Sequence, residues 1–170
     1  MEISLKKHTL NLVKELVPIA LVAGTLILLL RMFVLMPFSV TGASMEPTFS
    51  HDSHLIVERV SHRFFEPDRG NLIVFRYPKN PKERFMKRVV GLPNETVNIK
   101  NNSVTITDTS GKIFQLEEPY ANGGVGSSFQ MKLGPDDFFV LGDNRSQSSD
   151  SREWGPVERQ YLIGRVLFEL

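Results

Sequence analysis

One apolar stretch near the N-terminus constrains this chain more than any other feature. Between residues 16 and 39 the single formal charge is Arg31. A helix needs about 20 consecutive, mostly apolar residues to cross the hydrocarbon core of a bilayer, so the stretch is long enough. It has no polar face, whereas a helix on the surface of a soluble domain would have one. The pattern predicts a transmembrane helix over residues 16–37.

The charges around this stretch predict its orientation. The lysines that precede it are Lys6, Lys7 and Lys14. Positive charge favours the cytoplasmic side, so we expect residues 1–15 in the cytoplasm and residues 38–170 outside it. A cleaved secretory signal peptide is the alternative, because Thr41 and Ala43 form a small-x-small pattern. The apolar core of such a peptide, about 7–15 residues, would be shorter than this one.

The rest of the chain predicts a mainly β fold. Short segments rich in Val, Ile and Phe alternate with turn residues, which is typical of strands. The predicted strands are HLIVERV, NLIVFRY, RFMKRVV, ETVNIK, SVTIT, KIFQL, DFFVL and YLIGRVLF. Asn101 and Asn102 predict a hairpin turn, because asparagine tolerates a positive φ. We expect antiparallel β-sheets or a β-barrel on one transmembrane helix, with a small cap insertion at about residues 100–131.

Composition excludes several kinds of function. The 170 residues include no cysteine, which excludes disulfides, thiolate metal sites and a cysteine nucleophile. The net charge of +1 gives no sign of nucleic-acid binding. We expect a protein without metal or cofactor that acts as a monomer.

Ser44 follows the apolar stretch directly, in the segment TGASMEPT. A serine is a weak nucleophile unless a neighbouring base takes its proton. His51 with Asp143 would complete a serine–histidine–aspartate triad. His51 and His54 also lie in a polar loop, where they could be solvated side chains or, with Asp52, metal ligands.

Lys87, in the segment FMKRVVGLP, is a second candidate base. In an extended strand it shares a face with Phe85 and Val89. Burial between apolar side chains lowers the pKa of a lysine, and a neutral amine can act as a general base. An exposed strand lysine beside Arg88 is the alternative.

A third polar stretch, GDNRSQSSDSR at residues 142–152, follows the apolar segment DFFVL. Its density of Gly, Asp, Asn and Ser predicts a structured turn. Asp150 and Arg152 could pair and brace this turn, and its serine hydroxyls could orient another side chain. A solvated loop and a cation site around Asp143 and Asp150 are the alternatives.

Together these stretches resemble the type I signal peptidases of bacteria, which are membrane-anchored serine proteases with a serine–lysine dyad. An apolar anchor is followed, in the family's order, by the boxes GASMEPTF, RGNLIVF, KRVVGLPNE and GDNRSQSSDSR. The resemblance implies a single-pass protein of the bacterial plasma membrane with its catalytic domain outside. It would remove signal peptides from exported preproteins after a small-x-small site, so its partners would be these signal peptides and the lipid bilayer.

The resemblance also implies roles for individual residues. Ser44 would be the nucleophile and Lys87 the general base. Ser148 would orient the lysine amine through its hydroxyl. The ion pair of Asp150 and Arg152 would support the site.

Oxyanion and pocket positions follow from the same resemblance. The Ser44 amide would bind the oxyanion, with a second donor at the position of Gly42, where part of the family carries serine. The residues at the family's pocket positions are Phe38, Val40, Phe49, Phe85 and Met86. Each is apolar, and ordinary core packing is the alternative role for all of them.

Other functions would use some of these features. Self-cleaving repressors of the SOS type also have serine–lysine dyads, but they carry a DNA-binding domain where this chain has its apolar stretch. A specialised processing protease, for plasmid transfer or in an organelle inner membrane, would be closer. A non-catalytic membrane-anchored β module would have no need of Ser44, Lys87 and Ser148 together.

Overall fold

The chain divides into two units, Met1–Met36 and Pro37–Leu170. The structure is a computed structural model. It describes residues 2–126 and 128–170, with the side chains of all of these except residues 2–13, 30, 32, 33 and 62.

The first unit is formed by helix α1, Glu2–Val34. Pro18 lies inside this helix rather than near its start, because the polar segment before it is helical as well. The exposed apolar side chains of α1 include Leu16, Val17, Ile19, Leu21, Val22, Leu26, Ile27, Leu28 and Leu29. In the part of the chain that the structure describes, no helix is both long and apolar enough to cross a membrane. The side chains of Lys6 and Lys7, on which the predicted orientation depends, lie outside the described residues.

After α1 the chain is mainly β, as predicted. The strands are β1 Leu35–Ser39, β2 His54–Glu58, β3 Leu72–Tyr77, β4 Asn80–Gly91, β5 Thr96–Lys100, β6 Ser103–Thr107, β7 Ile113–Gln115, β8 Phe129–Lys132, β9 Asp137–Leu141, β10 Val157–Glu158 and β11 Leu162–Glu169. A one-turn helix, α2, spans Ser151–Trp154. Every predicted strand is present, but β1, β8 and β10 were not predicted. Strand β1 was not predicted because its residues continue the apolar stretch that was assigned to a transmembrane helix over residues 16–37.

The strands form two antiparallel sheets. A seven-stranded sheet has the order β1-β2-β11-β3-β4-β9-β10, and a four-stranded sheet has the order β7-β6-β5-β8. The smaller sheet is formed by β5 and by the strands that lie in or begin in the segment predicted as a cap insertion, β6, β7 and β8. Its β5–β6 hairpin turns at Asn101 and Asn102, whose φ angles are 50° and 64°. The turn is therefore the predicted one.

Strand β9 separates two hydrophobic cores. Phe139 and Leu141 belong to a core shared with the four-stranded sheet. Phe138 and Val140 point to the other side, into a core that contains Trp154. A strand buried on both faces is apolar, which explains the uninterrupted apolar run FFVL at residues 138–141.

Strand β4, which carries several residues of the site described below, is paired differently along its two edges. One edge pairs with β3 from Asn80 to Arg88. The register with β9 on the other edge runs from Arg88 to Gly91. Among the described strands, none pairs with the earlier part of β4 on that second edge. An extended peptide could therefore add there as a further strand.

Candidate active site

Ser44 lies in the turn between β1 and β2. The next side chain, Met45, is 1% exposed and anchors the turn in the interior. The carbonyl oxygen of Ser44 accepts a hydrogen bond from the Asn144 amide at 3.1 Å. Thr48 Oγ1 donates to Asp143 Oδ2 at 2.5 Å. The turn is thus held against the polar loop of residues 142–152 at its serine and again four residues later.

Lys87 reaches Ser44 from β4. Its Nζ lies 2.7 Å from Ser44 Oγ, although the two residues are 43 apart in sequence. The lysine side chain is 4% exposed, and its Nζ lies 5.7 Å from the centroid of the Phe85 ring. The structure therefore joins the serine to the lysine that lies between apolar neighbours.

The surroundings of Lys87 favour its neutral form. Burial lowers the pKa of Lys87 from 10.5 to about 8, while the carboxylates of Asp150 and Asp143 oppose this shift and the Arg152 guanidinium adds to it. At pH 7.5 about a quarter of amines with a pKa of about 8 are neutral, against about one in a thousand at a pKa of 10.5. A neutral amine at hydrogen-bond distance can take the proton of a serine hydroxyl.

Asp150, in the polar loop, is a buried carboxylate and is 0% exposed. Arg152 forms a bidentate pair with it, at 2.7 Å from Nε to Oδ1 and 2.8 Å from Nη2 to Oδ2. The Gly142 amide donates to Asp150 Oδ2 at 3.1 Å. Arg152 also donates to the carbonyl oxygens of Val125 and Arg145. The two residues expected to pair and brace the loop do so.

Ser148 is buried in the same loop, at 8% exposure. Among the described residues its Oγ has no hydrogen-bond partner, so the expected bond to the Lys87 amine is not formed. A methyl group placed on Gly142 would lie 2.2 Å from Ser148 Oγ and 2.5 Å from the carbonyl oxygen of Ser44. Ser148 therefore lies beside the turn of Ser44, and only glycine at position 142 permits this packing.

A second ion pair, between Arg88 and Asp143, was not anticipated. Arg88 donates through Nε to Asp143 Oδ1 at 2.8 Å and through Nη2 to Oδ2 at 2.6 Å. Asp143 is 0% exposed, and the Arg88 guanidinium stacks 3.9 Å from the centroid of the Tyr120 ring. Because Thr48 also bonds to Asp143, this pair holds the Ser44 turn. Alternation along β4 predicts that Arg88 faces away from Lys87, but not what it contacts.

Among the described residues, neither the serine–histidine–aspartate triad nor the metal site with His51, His54 and Asp52 is formed. Nδ1 of His51 accepts from the Gly42 amide at 3.0 Å, while Asp143 is engaged by Arg88 and Thr48. His54 Nδ1 lies 3.1 Å from Ser39 Oγ. Within residues 2–126 and 128–170, no group of three or more His, Asp or Glu side chains is placed to hold a metal ion.

A groove of about 650 Å³ opens beside Ser44 and Lys87. Four of the five expected pocket residues line it: Phe38, Val40, Phe85 and Met86. Phe49 is not among the described residues that line the groove. The wall also includes Met45 and Ser149, neither of which was expected to line a pocket. The groove follows the edge of β4 that has no strand partner, so an extended chain in it would pass the serine.

A mainly antiparallel β fold that holds a serine hydroxyl against a buried lysine amine defines a class of protein, the serine–lysine hydrolases. Comparison with known proteins identifies the family within this class. The profile of the family described as "Signal peptidase, peptidase S26" matches residues 11–170. The chain belongs to this signal peptidase family, and the resemblance inferred from the four boxes is confirmed.

Individual relatives cover most of the chain. A "Probable signal peptidase I-1" of Synechocystis sp. is 37% identical over 164 residues, 92% of this chain and 81% of that protein. A "Signal peptidase I" of Leptolyngbya laminosa is 38% identical over 81% of this chain and 70% of its own length. A crystal structure of a signal peptidase I from Enterococcus faecalis V583 aligns with a TM-score of 0.52 at 30% identity, covering 61% of this chain and 98% of that one.

Proposed function

We propose that this protein is a signal peptidase I, a serine endopeptidase that removes N-terminal signal peptides from exported preproteins. The observation that carries the proposal is the 2.7 Å contact between Ser44 Oγ and the buried Nζ of Lys87. Membership of the signal peptidase family supports the substrate class. A specialised processing protease of the same family would use the same chemistry on a narrower set of substrates.

The reaction begins with Lys87 in its neutral form. Its amine takes the proton of Ser44 Oγ as this oxygen attacks the scissile carbonyl carbon. The protonated Lys87 then gives the proton to the leaving amine, which releases the mature protein and leaves an acyl group on Ser44. A water molecule, deprotonated by Lys87, then attacks the acyl carbon, and Lys87 returns the proton to Ser44 Oγ as the bond between this oxygen and the acyl group breaks. No other titratable side chain is required.

The oxyanion that forms during attack needs donors in fixed positions, each typically worth about 3–4 kcal/mol in the barrier. We assign the first donor to the amide of Ser44. Gly42 lies where part of the family supplies a second donor, but its amide already donates to His51. Gly42 also has no side-chain donor, so it serves the site through its backbone conformation.

The remaining polar residues support Lys87 and Ser44. Asp150 and Arg152 hold the loop that covers the lysine. Ser148 has a buried hydroxyl without a partner among the described residues, which fits a group that bonds to the lysine amine during the reaction. Ser148 and Lys87 both lie beside Ser44, which places the hydroxyl in the neighbourhood of the amine.

Specificity for small residues follows from the walls of the groove. A substrate strand added along the open edge of β4 would turn alternate side chains into the groove. Phe38, Val40, Phe85 and Met86 would limit the space for those side chains. The stacking of Phe85 on Tyr77, with centroids 4.6 Å apart, restrains one wall from moving aside. Small-x-small sites would therefore be preferred.

We further propose that the apolar part of helix α1, residues 16–34, anchors the protein in the plasma membrane, with residues 1–15 in the cytoplasm. Support comes from the sequence, where Arg31 is the single formal charge between residues 16 and 39. The exposed apolar side chains of α1 would be costly in water and favourable in lipid. An anchor would hold the serine close to the membrane face at which signal peptides emerge.

The test is cleavage of a preprotein with an Ala-x-Ala site by the full chain in detergent. Ser44→Ala and Lys87→Ala should both abolish cleavage, and the wild-type product should begin after the second alanine. Lys100→Ala, which removes an exposed lysine at the end of β5, is the matched control and should be fully active. Substantial activity in Lys87→Ala would mean that another base serves Ser44. A folded wild-type chain that cuts no preprotein would favour the non-catalytic membrane module.

A further inference from the structure

His51 lies in the turn that carries Ser44, and the proposed reaction gives it no role. Its Nδ1 accepts a hydrogen bond from the Gly42 amide at 3.0 Å. A ring nitrogen that accepts a hydrogen bond carries no proton, so the neutral ring is protonated on Nε2. That nitrogen lies 3.5 Å from Asp52 Oδ1. The ring therefore lies between Asp52, near the end of the turn, and Gly42, two positions before Ser44.

Three hydrogen bonds join the two ends of the turn around Ser44, residues 40–42 and residues 51–53. Two join backbone atoms at its base: the Val40 amide donates to the Ser53 carbonyl oxygen, and the Asp52 amide donates to the Val40 carbonyl oxygen, each at 2.9 Å. The third is the bond from Gly42 to His51. Of the three it is nearest to Ser44 in sequence, and it alone depends on a side chain.

Gly42 is the position of the turn that most needs such a restraint. Its φ of 90° lies in the left-handed region that favours glycine. A side chain at this position would meet no atom within 4 Å, so packing does not restrain this side of the residue. A glycine with open space beside it rotates easily, and rotation here would move Ser44 relative to Lys87.

We propose that His51 is a positioning residue, which fixes the Gly42 peptide and thereby keeps Ser44 Oγ at reacting distance from Lys87 Nζ. The inference rests on the proposed roles of Ser44 and Lys87. The His51 side chain is 59% exposed, so water competes for its hydrogen bond and the contribution is modest. Loss of the bond should lower kcat about three- to fivefold, because a hydrogen bond of this kind contributes at the lower end of the usual range.

The experiment compares two substitutions in the full chain, in detergent, at pH 9, where most Lys87 amines are neutral. His51→Leu removes the acceptor and replaces the ring by an apolar side chain of similar size. His51→Asn keeps an acceptor oxygen at the same distance along the side chain as Nδ1. We expect kcat for an Ala-x-Ala preprotein to fall about three- to fivefold in the leucine variant and to return to the wild-type value in the asparagine variant. KM should change less than about twofold in both, because the bond acts on the nucleophile rather than on substrate binding.

Controls separate this inference from the proposed function. His54→Leu removes the neighbouring histidine, which contacts Ser39 and not Gly42, and should leave kcat unchanged. A wild-type kcat in His51→Leu, an equal loss in His51→Asn or in His54→Leu, or a rise in KM alone would each overturn the positioning role. Ser44→Ala is measured alongside: if it is inactive while His51→Leu is normal, only the positioning role is wrong. If Ser44→Ala remains active, the proposed site itself is wrong.

Discussion

Replacing Lys87 by methionine should make the protein inactive and, at neutral pH, more stable. Methionine has nearly the length of lysine, and the site is 4% exposed, so it fills the same space without a charge. At pH 7 the folded protein holds a protonated amine in a place that lowers its pKa from 10.5 to about 8. At 1.36 kcal/mol for each pKa unit, this burial costs about 3 kcal/mol of folding free energy.

The expected change in stability depends on pH in a defined direction. Lys87→Met relieves the burial cost of about 3 kcal/mol and loses a hydrogen bond to Ser44 worth about 1 kcal/mol, so it should gain about 2 kcal/mol at pH 7. Between the folded pKa of about 8 and the unfolded value of 10.5, the unfolded wild type binds the proton more tightly. The stability of the wild type therefore rises with pH in this window. The advantage of the variant should shrink over the same window, vanish near pH 10 and become a deficit of about 1 kcal/mol above pH 10.5, where only the lost hydrogen bond counts.

The chain offers a direct assay, because Trp154 is its only tryptophan. Trp154 lies in the core beside Phe75 and Tyr77, with ring centroids 5.9 Å and 5.7 Å away. The fluorescence of Trp154 during urea unfolding reports on the unit Pro37–Leu170 and not on α1. Lys132→Met, which removes an exposed lysine on β8, is the control and should show no pH-dependent difference. A Lys87→Met variant that is less stable than the wild type at pH 7, by an amount independent of pH, would refute the reasoning.

Three further predictions follow from the same site. In a pH–rate profile, kcat/KM should fall about tenfold for each pH unit below the Lys87 pKa of about 8, because protonation removes the base; a profile flat down to pH 6 would contradict this. Gly142→Ala should lower kcat at least about tenfold, since its methyl group would lie 2.2 Å from Ser148 Oγ and displace the Ser44 turn; wild-type kinetics would show that the loop adapts. Asp143→Asn should destabilise the protein by about 3–5 kcal/mol in urea, because it leaves the Arg88 guanidinium without its carboxylate; a loss below about 1 kcal/mol would mean that other groups compensate.

Local patterns identified most of the strands because their causes are local. The alternation in ETVNIK and SVTIT matches strands with one buried face, and Asn101–Asn102 supplied the positive φ angles of the hairpin. The strands that escaped prediction lacked such a signal. Strand β1 continues an apolar run, β8 is a four-residue strand after a glycine-rich segment, and β10 has two residues.

The site was only partly predictable for a related reason. Ser44, Lys87, Asp150 and Arg152 stand out as polar residues in recognisable boxes. The partnership of Arg88 with Asp143 joins residues 55 apart, and no local pattern specifies it. Nor does the sequence show that His51 turns towards Gly42, because both lie in a loop where many side-chain directions are possible.

The sequence by itself determined the order of the apolar stretch and strands, the absence of thiol chemistry and the boxes that relate the chain to the signal peptidases. These are properties of residue type, spacing and turn preference, which act within a few positions. Tertiary structure alone decided that Ser44 meets Lys87, that burial makes the amine of this lysine a base near neutral pH, and that the edge of β4 stays open beside it. Those properties depend on strands β4 and β9 and two distant loops packing together, since desolvation and hydrogen-bond distance are set by neighbours that lie far apart along the chain.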